Sequence, residues 1–413
     1  MKPVAAPVLS PPEPDVTPYD MIARAQALRS RLRDEQAAAE ERGTYSPEMH
    51  ETFKQAGFYR LMQPRRFGGY EFDVPAFFRI IMEVARGCPG TGWCLGLAAG
   101  HHMMVSFFPE QTQASAYGAT GHFAAPFRPV PMGTARRISG GWQINGEWDY
   151  CSGAPYSTHA ILGIRFDDDD APFPTGQVIL AREQWTILDN WRGSVLGMTG
   201  SGSNSIRVSD AIVDDDSVVF GRLDQIPRGR ESRGYLLHQN AMYAGVTEGY
   251  ASIEVAAILA ACARAALDEY ERLLREKKTF GPNPQPRFTL PDYQRWYCEA
   301  AAKVDAAEEL VLRGAERYME CCRAAVSGQD GDWGTGLAEI DLVTHRVTFE
   351  LAWEAVELMF RTSGSSEGAR NGSRMQRYYR DFSMARTNVY VRTGVAERAF
   401  TAAKFGLEMV VPF

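Results

Sequence analysis

A glycine- and hydroxyl-rich run at residues 196–203, Leu-Gly-Met-Thr-Gly-Ser-Gly-Ser, is the first candidate for binding chemistry. Glycine has no Cβ, so backbone N–H groups in such a run can come close to a phosphate or an aromatic ring. A dinucleotide fingerprint does not fit, because its third glycine is missing and a strand is predicted next. The run therefore predicts a ligand-binding turn, with a plain hairpin loop as the alternative.

Three histidines are candidates for moving protons. His101 and His102 fall in a predicted helix that faces either a substrate cavity or solvent, and His122 opens a β-rich part of the chain. Histidine suits acid-base work near neutral pH, although a lone histidine is more often structural. The seven cysteines are dispersed, without a Cys-x-x-Cys pair, so neither a metal site nor a disulfide framework is predicted.

A third candidate is the polar run at residues 377–388, which ends in Asn388 and is followed by Val389. Asparagine can orient a hydroxyl or a carbonyl group but is not a base near pH 7, and valine cannot take a proton. A short Gly364-Ser365-Ser366 sequence lies one loop upstream.

The elements that must position these groups fall into three parts. Helical periodicity covers residues 19–120, with helices expected at 23–41, 49–56, 75–86 and 92–105. Short strands follow at 121–225, including a hairpin marked by Gly140-Gly141. Long helical patterns return at 226–413, over 247–278, 290–325 and 335–362. We therefore predict an N-terminal helical domain, a central β-barrel and a C-terminal four-helix bundle for oligomerisation, after a flexible leader at 1–18.

Composition excludes several classes of protein. The formal net charge of −7 provides no basic field for nucleic acid. No apolar run reaches the ~18 residues that a membrane span needs, and the proline-rich leader has no apolar core of a signal peptide. A cytoplasmic location is the plain interpretation.

Motifs along most of the chain resemble the acyl-CoA dehydrogenase superfamily. Arg380-Asp381 and the residues after it resemble its C-terminal signature, and the 64–69 run resembles its N-terminal Pro-to-Gly-Gly turn. In the dehydrogenases a glutamate removes the substrate α-proton at the position of Val389. The monooxygenase relatives usually place a histidine where this chain has Asn388. The resemblance therefore points to the reduced-flavin monooxygenase branch, similar to hydroxyphenylacetate hydroxylase oxygenase components.

Three further stretches carry this resemblance to the monooxygenase branch. Gly133-Thr134-Ala135 with 146–153 resembles a turn and a Gly-Arg-Trp-x-Phe-x-Ser-Gly strand that border the flavin, and residues 197–203 resemble a Gly-Met-Arg-Gly-Thr-Gly-Ser loop. Residues 277–281 resemble an Arg-x-Thr-Phe-Gly helix end whose arginine contacts the cofactor pyrophosphate, commonly in a neighbouring subunit. Lys277 replaces that arginine and loses its bidentate fork.

The resemblance implies a set of site residues. The implied flavin contacts are Trp148, Cys151, Ser152, Thr199, Ser201, Ser203, Lys277, Phe280, Gly364, Ser365 and Ser366. The implied substrate contacts are His101, His102, Tyr150 and Asn388. The candidate catalytic groups are His122, Ser152 and Asn388, and no metal is expected.

The function that the resemblance implies is the oxygenase component of a two-component flavin-dependent monooxygenase. A separate reductase would supply reduced FMN or FAD, and oxygen would react through a flavin C4a-hydroperoxide to oxygenate an aromatic or heteroaromatic substrate at carbon, nitrogen or sulfur. A homotetramer is expected. Two alternatives stay open: an acyl-CoA dehydrogenase that uses a displaced glutamate such as Glu248 or Glu254, and a non-catalytic oligomer that binds a flavin or an acyl ligand.

Overall fold

The N-terminal part of the fold is helical, and its first helices have side-chain caps. This computed structural model describes residues 9–247, 249–328, 340–387 and 395–407. The helices of this part are α1 Pro18–Arg42, α2 Pro47–Ala56, α3 Val74–Gly87, α4 Pro89–Ala99, α5 His102–Val105 and α6 Glu110–Tyr117. Thr17 caps α1 through the Asp20 amide, and Ser46 caps α2 through the Met49 amide. These caps explain why α1 and α2 begin where they do.

The predicted helix over 92–105 is wrong in one respect, because it is interrupted. Helix α4 ends at Ala99, and Gly100 and His101 separate it from the short α5. The Tyr250 hydroxyl donates to the Gly100 carbonyl at 2.9 Å. An added Cβ at Gly100 would lie 2.7 Å from that hydroxyl oxygen, so the break depends on glycine at this contact.

The central part is one seven-stranded mixed sheet. Its strands are β1 Phe127–Ile138, β2 Gly141–Trp148, β3 His159–Asp167, β4 Thr175–Ala181, β5 Thr186–Ile187, β6 Ile206–Val213 and β7 Val218–Phe220. The order is β5-β6-β2-β1-β3-β4-β7, with β1 and β3 parallel and the other pairs antiparallel. The predicted hairpin is confirmed, with Gly140 at φ 82° between β1 and β2.

The C-terminal part is a bundle around one buried helix. Its elements are α7 Arg233–His238, α8 Tyr250–Glu276, α9 Pro291–Ser327, a π-helical stretch Ile340–Val347, α10 Thr348–Thr362, α11 Arg374–Ala385 and α12 Val395–Phe405. Helix α8 packs against α3, α9, α10 and α11. It is long and apolar enough to cross a membrane, yet 89% of its most apolar window is buried within the protein, as in a core helix.

The predicted succession of helical, β and helical parts is confirmed. The long helices begin and end within a few residues of the predicted positions, although 335–339 of the third lies outside the described residues. The domain boundaries at 18, 120 and 225 stay a prediction. The sheet and the bundle meet around the end of β2 and residues 196–203, where the candidate site lies.

Candidate functional site

Tyr150 stands just beyond the end of β2 in a strained backbone conformation. Its φ is 52°, a left-handed value that a bulky residue seldom adopts, and its side chain is 55% exposed. Its ring meets the Trp191 ring edge to face at 5.7 Å. Such strain persists where the surroundings impose it, and it marks candidate functional positions. Tyr150 therefore offers a fixed, accessible aromatic face.

A ladder of hydroxyl groups lies next to Tyr150. The Trp93 indole of α4 donates to Ser152 Oγ at 3.0 Å, Ser152 Oγ lies 2.7 Å from Ser203 Oγ, and Ser203 Oγ lies 2.8 Å from Ser201 Oγ. An indole N–H can only donate, so Ser152 uses a lone pair to accept it. The Ser152 hydroxyl hydrogen is then free to donate either to Ser203 or to an acceptor atom of a bound ligand.

The glycine-rich loop is held by the Arg380-Asp381 pair of α11. The Met198 amide donates to Asp381 Oδ1 at 2.6 Å, and the Arg380 guanidinium donates to the Leu196 carbonyl at 3.1 Å. Arg380 also pairs with Glu40 of α1 at 2.9 Å. The C-terminal signature thus has a structural task here, because it fixes the loop that carries Ser201 and Ser203.

Glycines let the loop approach α1 and α4 closely. An added Cβ at Gly200 would contact Ala39 at 3.4 Å, and one at Gly90 would lie 3.2 Å from Gly200. The Gly202 amide donates to the Gly43 carbonyl at 2.9 Å, with Gly202 at φ 58°. Thr199 and Ser201 are consequently buried between α1, α4 and the loop itself.

The carboxyl group of Asp381 is expected to make stability depend on pH. Burial and, next, the nearby Glu40 charge raise the pKa of Asp381 from 3.8 to about 7. The Met198 amide, Arg380 and Arg377 lower it, but by less. Between pH 3.8 and about pH 7, the folded protein keeps a proton on Asp381 that the unfolded chain has released. This proton's contribution to stability is therefore complete below pH 3.8 and is lost as the pH rises through about 7.

Asp381→Asn mimics the neutral carboxyl group and keeps an acceptor for the Met198 amide. We therefore expect its melting temperature, relative to that of the unmodified protein, to be higher at about pH 8 than at about pH 5. Asp34→Asn on the exposed face of α1 is the matched control. Thermal melts at both pH values measure the difference. A difference that is the same at both values would contradict this account of Asp381.

Trp148 and Cys151, two implied flavin contacts, point into the sheet core. Trp148 is fully buried, and its indole donates to the Gly163 carbonyl at 2.8 Å. Cys151 is fully buried as well, and burial raises its thiol pKa to about 12. The burial of both side chains indicates a structural role. A flavin contact by either residue stays a prediction, and it would have to use backbone atoms.

The three histidines differ in their surroundings. Both ring nitrogens of His102 are engaged, with Tyr117 Oη at 3.2 Å and the Tyr59 carbonyl at 2.9 Å, and burial lowers its pKa to about 3. His122 packs edge-on against the Tyr59 ring at 5.0 Å, and burial lowers its pKa to about 4. His101 is buried with Nδ1 2.8 Å from the Ala125 carbonyl. Each role assigned to these residues stays a prediction.

The implied phosphate-binding residues lie apart from the hydroxyl ladder within this chain. Lys277 forms an ion pair with Glu367 at 2.7 Å, and the Phe280 side chain is fully exposed. Gly364 has a φ of 89° in a turn beside Arg287, and Ser365 and Ser366 are exposed. Asn388 and Val389 lie outside the described residues.

Sequence patterns missed two parts of the site. Trp93 is distant in sequence from Ser152, and a tryptophan in an apolar helix carries no local sign of a hydrogen bond to a serine. Glu254 of α8 was considered only as a displaced base, yet it is buried with Oε1 3.7 Å from His101 Nε2. Among the described residues, no group of three or more His, Cys, Asp or Glu is arranged to hold a metal ion.

The residues present fit a flavin ring. Tyr150 supplies an exposed aromatic face, and Ser152 next to it has a hydroxyl hydrogen to donate to a ring nitrogen or carbonyl. The glycines at 197, 200 and 202 keep Cβ atoms out of the loop, which lets its backbone come close. The arrangement can hold an aromatic heterocycle against the end of β2.

Two family models match the chain. The one described as "Acyl-CoA dehydrogenase, N-terminal domain" matches residues 23–118, and the one described as "Acyl-CoA dehydrogenase, C-terminal domain" matches residues 253–400. Together they span more than half of the sequence.

Relatives and solved structures resemble the whole chain. The oxygenase subunit HsaA of a flavin-dependent monooxygenase from Rhodococcus jostii is 25% identical and covers 93% of this chain and 98% of its own. A pigment production hydroxylase from Rhodococcus sp. is 26% identical over 96% of this chain and 98% of its own. The structure of XiaF from Streptomyces sp. in complex with FADH2 and glycerol matches this chain with a TM-score of 0.85. The two sequences are 21% identical, and the match covers 96% of this chain and 97% of that one, so the likeness shows a shared fold. The chain therefore belongs to the acyl-CoA dehydrogenase superfamily and, within it, is similar to the oxygenase components of flavin-dependent monooxygenases.

Proposed function

We propose that this protein is the oxygenase component of a two-component flavin-dependent monooxygenase acting on a small aromatic or heteroaromatic substrate. The similarity over nearly the full chain to relatives named as such oxygenases is the observation that carries this proposal. Val389 agrees with it, because a valine at the dehydrogenase base position cannot remove a substrate proton. Oxygenation at nitrogen or sulfur is compatible with the same site.

The cofactor is reduced FMN or FAD, delivered by a separate reductase, and molecular oxygen is the co-substrate. When bound, the reduced flavin supplies the two electrons that activate oxygen, so one oxygen atom enters the product and the other leaves as water. Tyr150 would pack against the bound ring, and Ser152 would donate a hydrogen bond to it. The buried part of the loop, residues 197–203, keeps water away from the reacting atoms.

The substrate needs little help from acids or bases in this proposal. An electron-rich ring accepts oxygen without prior deprotonation. The resemblance makes Asn388, which lies outside the described residues, the candidate to orient such a substrate. The low pKa of His122 weakens it as a general base, because a base works best when its pKa lies near the working pH.

His122→Asn is accordingly expected to keep product formation per folded protein within about ten-fold, since a true base contributes ~10²–10⁴-fold. Burial also lowers the pKa of His238 to about 4, and His238→Asn is the matched control. Product and hydrogen peroxide are measured together at saturating reductase. A loss beyond a hundred-fold while flavin oxidation continues would assign the base role to His122.

Assembly and location are part of the proposal. The exposed Phe280 and the nearby Lys277 suit a contact with the flavin of a neighbouring subunit in a homotetramer. Lys277 neutralises phosphate as a point charge without the arginine fork, which favours a cofactor that exchanges with the reductase. A cytoplasmic location agrees with this reductase dependence.

The function is tested by supplying electrons in two ways. With NADH, a flavin reductase, FMN or FAD and labelled oxygen gas, a panel of phenols and indoles should yield products that carry one labelled oxygen atom. Reduction of bound flavin by acyl-CoA esters alone would favour a dehydrogenase with a displaced glutamate. Absence of turnover with either electron source would favour a non-catalytic flavin-binding oligomer.

A further inference from the structure

Glu254, one turn into α8, has a buried carboxylate oxygen without a hydrogen-bond donor. The residue is only 6% exposed, and its Oε1 atom has no hydrogen-bond partner. Within the described part of the chain, His101 is the only basic residue within 4.0 Å of this carboxylate. Burying a carboxylate without donors is costly, so such an atom points to a missing partner.

His101 does not fill that gap in its neutral form. Its Nδ1 lies 2.8 Å from the Ala125 carbonyl, which can only accept, so Nδ1 carries the hydrogen. In the neutral ring Nε2 is then an acceptor, and it faces Glu254 Oε1 across 3.7 Å. That distance is too long for a direct hydrogen bond. Two buried acceptors thus face each other, and a group with two donor hydrogens would satisfy both.

Helix α4 links the pair to the proposed ring site. His101 follows α4, whose Trp93 bonds to Ser152, and the His101 ring lies 5.5 Å from that of Phe127 at the start of β1. At Gly100, an added Cβ would lie 3.1 Å from Glu254 Oε1, so the carboxylate packs closely against this glycine.

We propose that Glu254 and His101 bind an amino group on the aromatic substrate, an inference that rests on the proposed function. A primary amine or ammonium presents at least two N–H donors, one for each acceptor, and its positive charge offsets the Glu254 carboxylate. A phenol has a single hydrogen and leaves one acceptor unpaired. A substrate carboxylate would meet a like charge in a buried place, which disfavours it.

The test compares three probes that share a phenol ring: tyramine, with an ammonium; 4-ethylphenol, neutral; and 4-hydroxyphenylacetate, with a carboxylate. Their dissociation constants are measured by calorimetry under anaerobic conditions, with and without reduced FMN. We expect tyramine to bind the unmodified protein about ten-fold or more tighter than 4-ethylphenol, which matches a charged hydrogen bond of ~1.5–3 kcal/mol. The carboxylate probe should bind most weakly.

The variant Glu254→Gln keeps the shape and removes the charge, so it should reduce the preference for tyramine to about three-fold or less. Glu276→Gln replaces an exposed carboxylate on the same helix and should behave like the unmodified protein. A preference for tyramine that survives Glu254→Gln, tighter binding of the carboxylate probe, or no binding of any probe would overturn the inference. Failure of the protein to bind reduced flavin would instead count against the proposed function, because the probe preference is also measured without flavin.

Discussion

Gly197→Ala should lose about a hundred-fold or more in product formation while the rest of the fold stays intact. A Cβ at this position would lie 2.2 Å from the Arg380 carbonyl oxygen and 2.6 Å from the Asp381 nitrogen. Those atoms belong to the backbone of α11 and cannot rotate away, so the loop itself must move. Ser201 and Ser203 would move with it, away from Ser152.

Misplacement by about 1 Å is enough to cost ~10²-fold in rate, and overpacking typically costs ~1–3 kcal/mol of stability. Product, peroxide and melting temperature are measured together. Leu196→Ala changes the exposed neighbour, whose side chain is 59% exposed, and serves as the control. If Gly197→Ala formed product as fast as Leu196→Ala, the position of the loop would not matter for catalysis.

Trp148→Ala should be the most destabilising single change in the sheet, with an expected loss of ~3–5 kcal/mol in the free energy of unfolding. The indole is fully buried, and Gly133 and Gly146 make room for it, since a Cβ at either would lie within 3 Å of its ring. The substitution leaves a large cavity and removes the donor to the Gly163 carbonyl.

Trp148→Phe should recover part of this loss, because the phenyl ring refills part of the cavity but is smaller than the indole and cannot donate to the Gly163 carbonyl. Ile212→Ala, at a 64% exposed position of β6, is the control and should change stability little. Denaturant unfolding gives the values. A loss below about 1 kcal/mol for Trp148→Ala would contradict the core role of this residue.

Local chemistry explains which parts of the fold the sequence could predict. The Gly140-Gly141 turn marked the β1–β2 hairpin because few other residues adopt the needed conformation. Helix-forming residues and apolar periodicity marked α1, α2 and α8 to within about five residues at each end. Gly100, in contrast, looked like an ordinary helix position, since the contact that requires it comes from Tyr250, distant in the sequence.

The candidate site was harder to predict because side-chain direction changes at Tyr150. Strand alternation places Trp148 on the buried face with Ile144, and continued alternation would bury Tyr150 as well. The left-handed backbone at Tyr150 ends that alternation, which exposes Tyr150 and buries Cys151. A family motif gives the order of such residues but not this reversal of side-chain direction, and a flavin contact by Trp148 or Cys151 stays a prediction.

Hydrogen-bond partners that are distant in sequence form the rest of the site. The sequence placed Asp381 in a family signature that precedes the positions of Asn388 and Val389. The hydrogen bond that Asp381 accepts from the Met198 amide forms because α11 packs on the loop. The Glu254–His101 pair likewise needs α8 and the end of α4 to meet. Neither contact has a sign in the local sequence.

The most direct test of the central claim is the affinity for reduced and for oxidised flavin. The purified protein is titrated anaerobically with FMNH2 and FADH2, the same titration is repeated with the oxidised forms, and the reduced complex is then mixed with oxygenated buffer. We predict little flavin in the purified protein, tighter binding of a reduced form, and slower appearance of oxidised flavin than in free solution. Stoichiometric FAD that survives purification, with equal or tighter binding of the oxidised form, would contradict the account and favour a dehydrogenase.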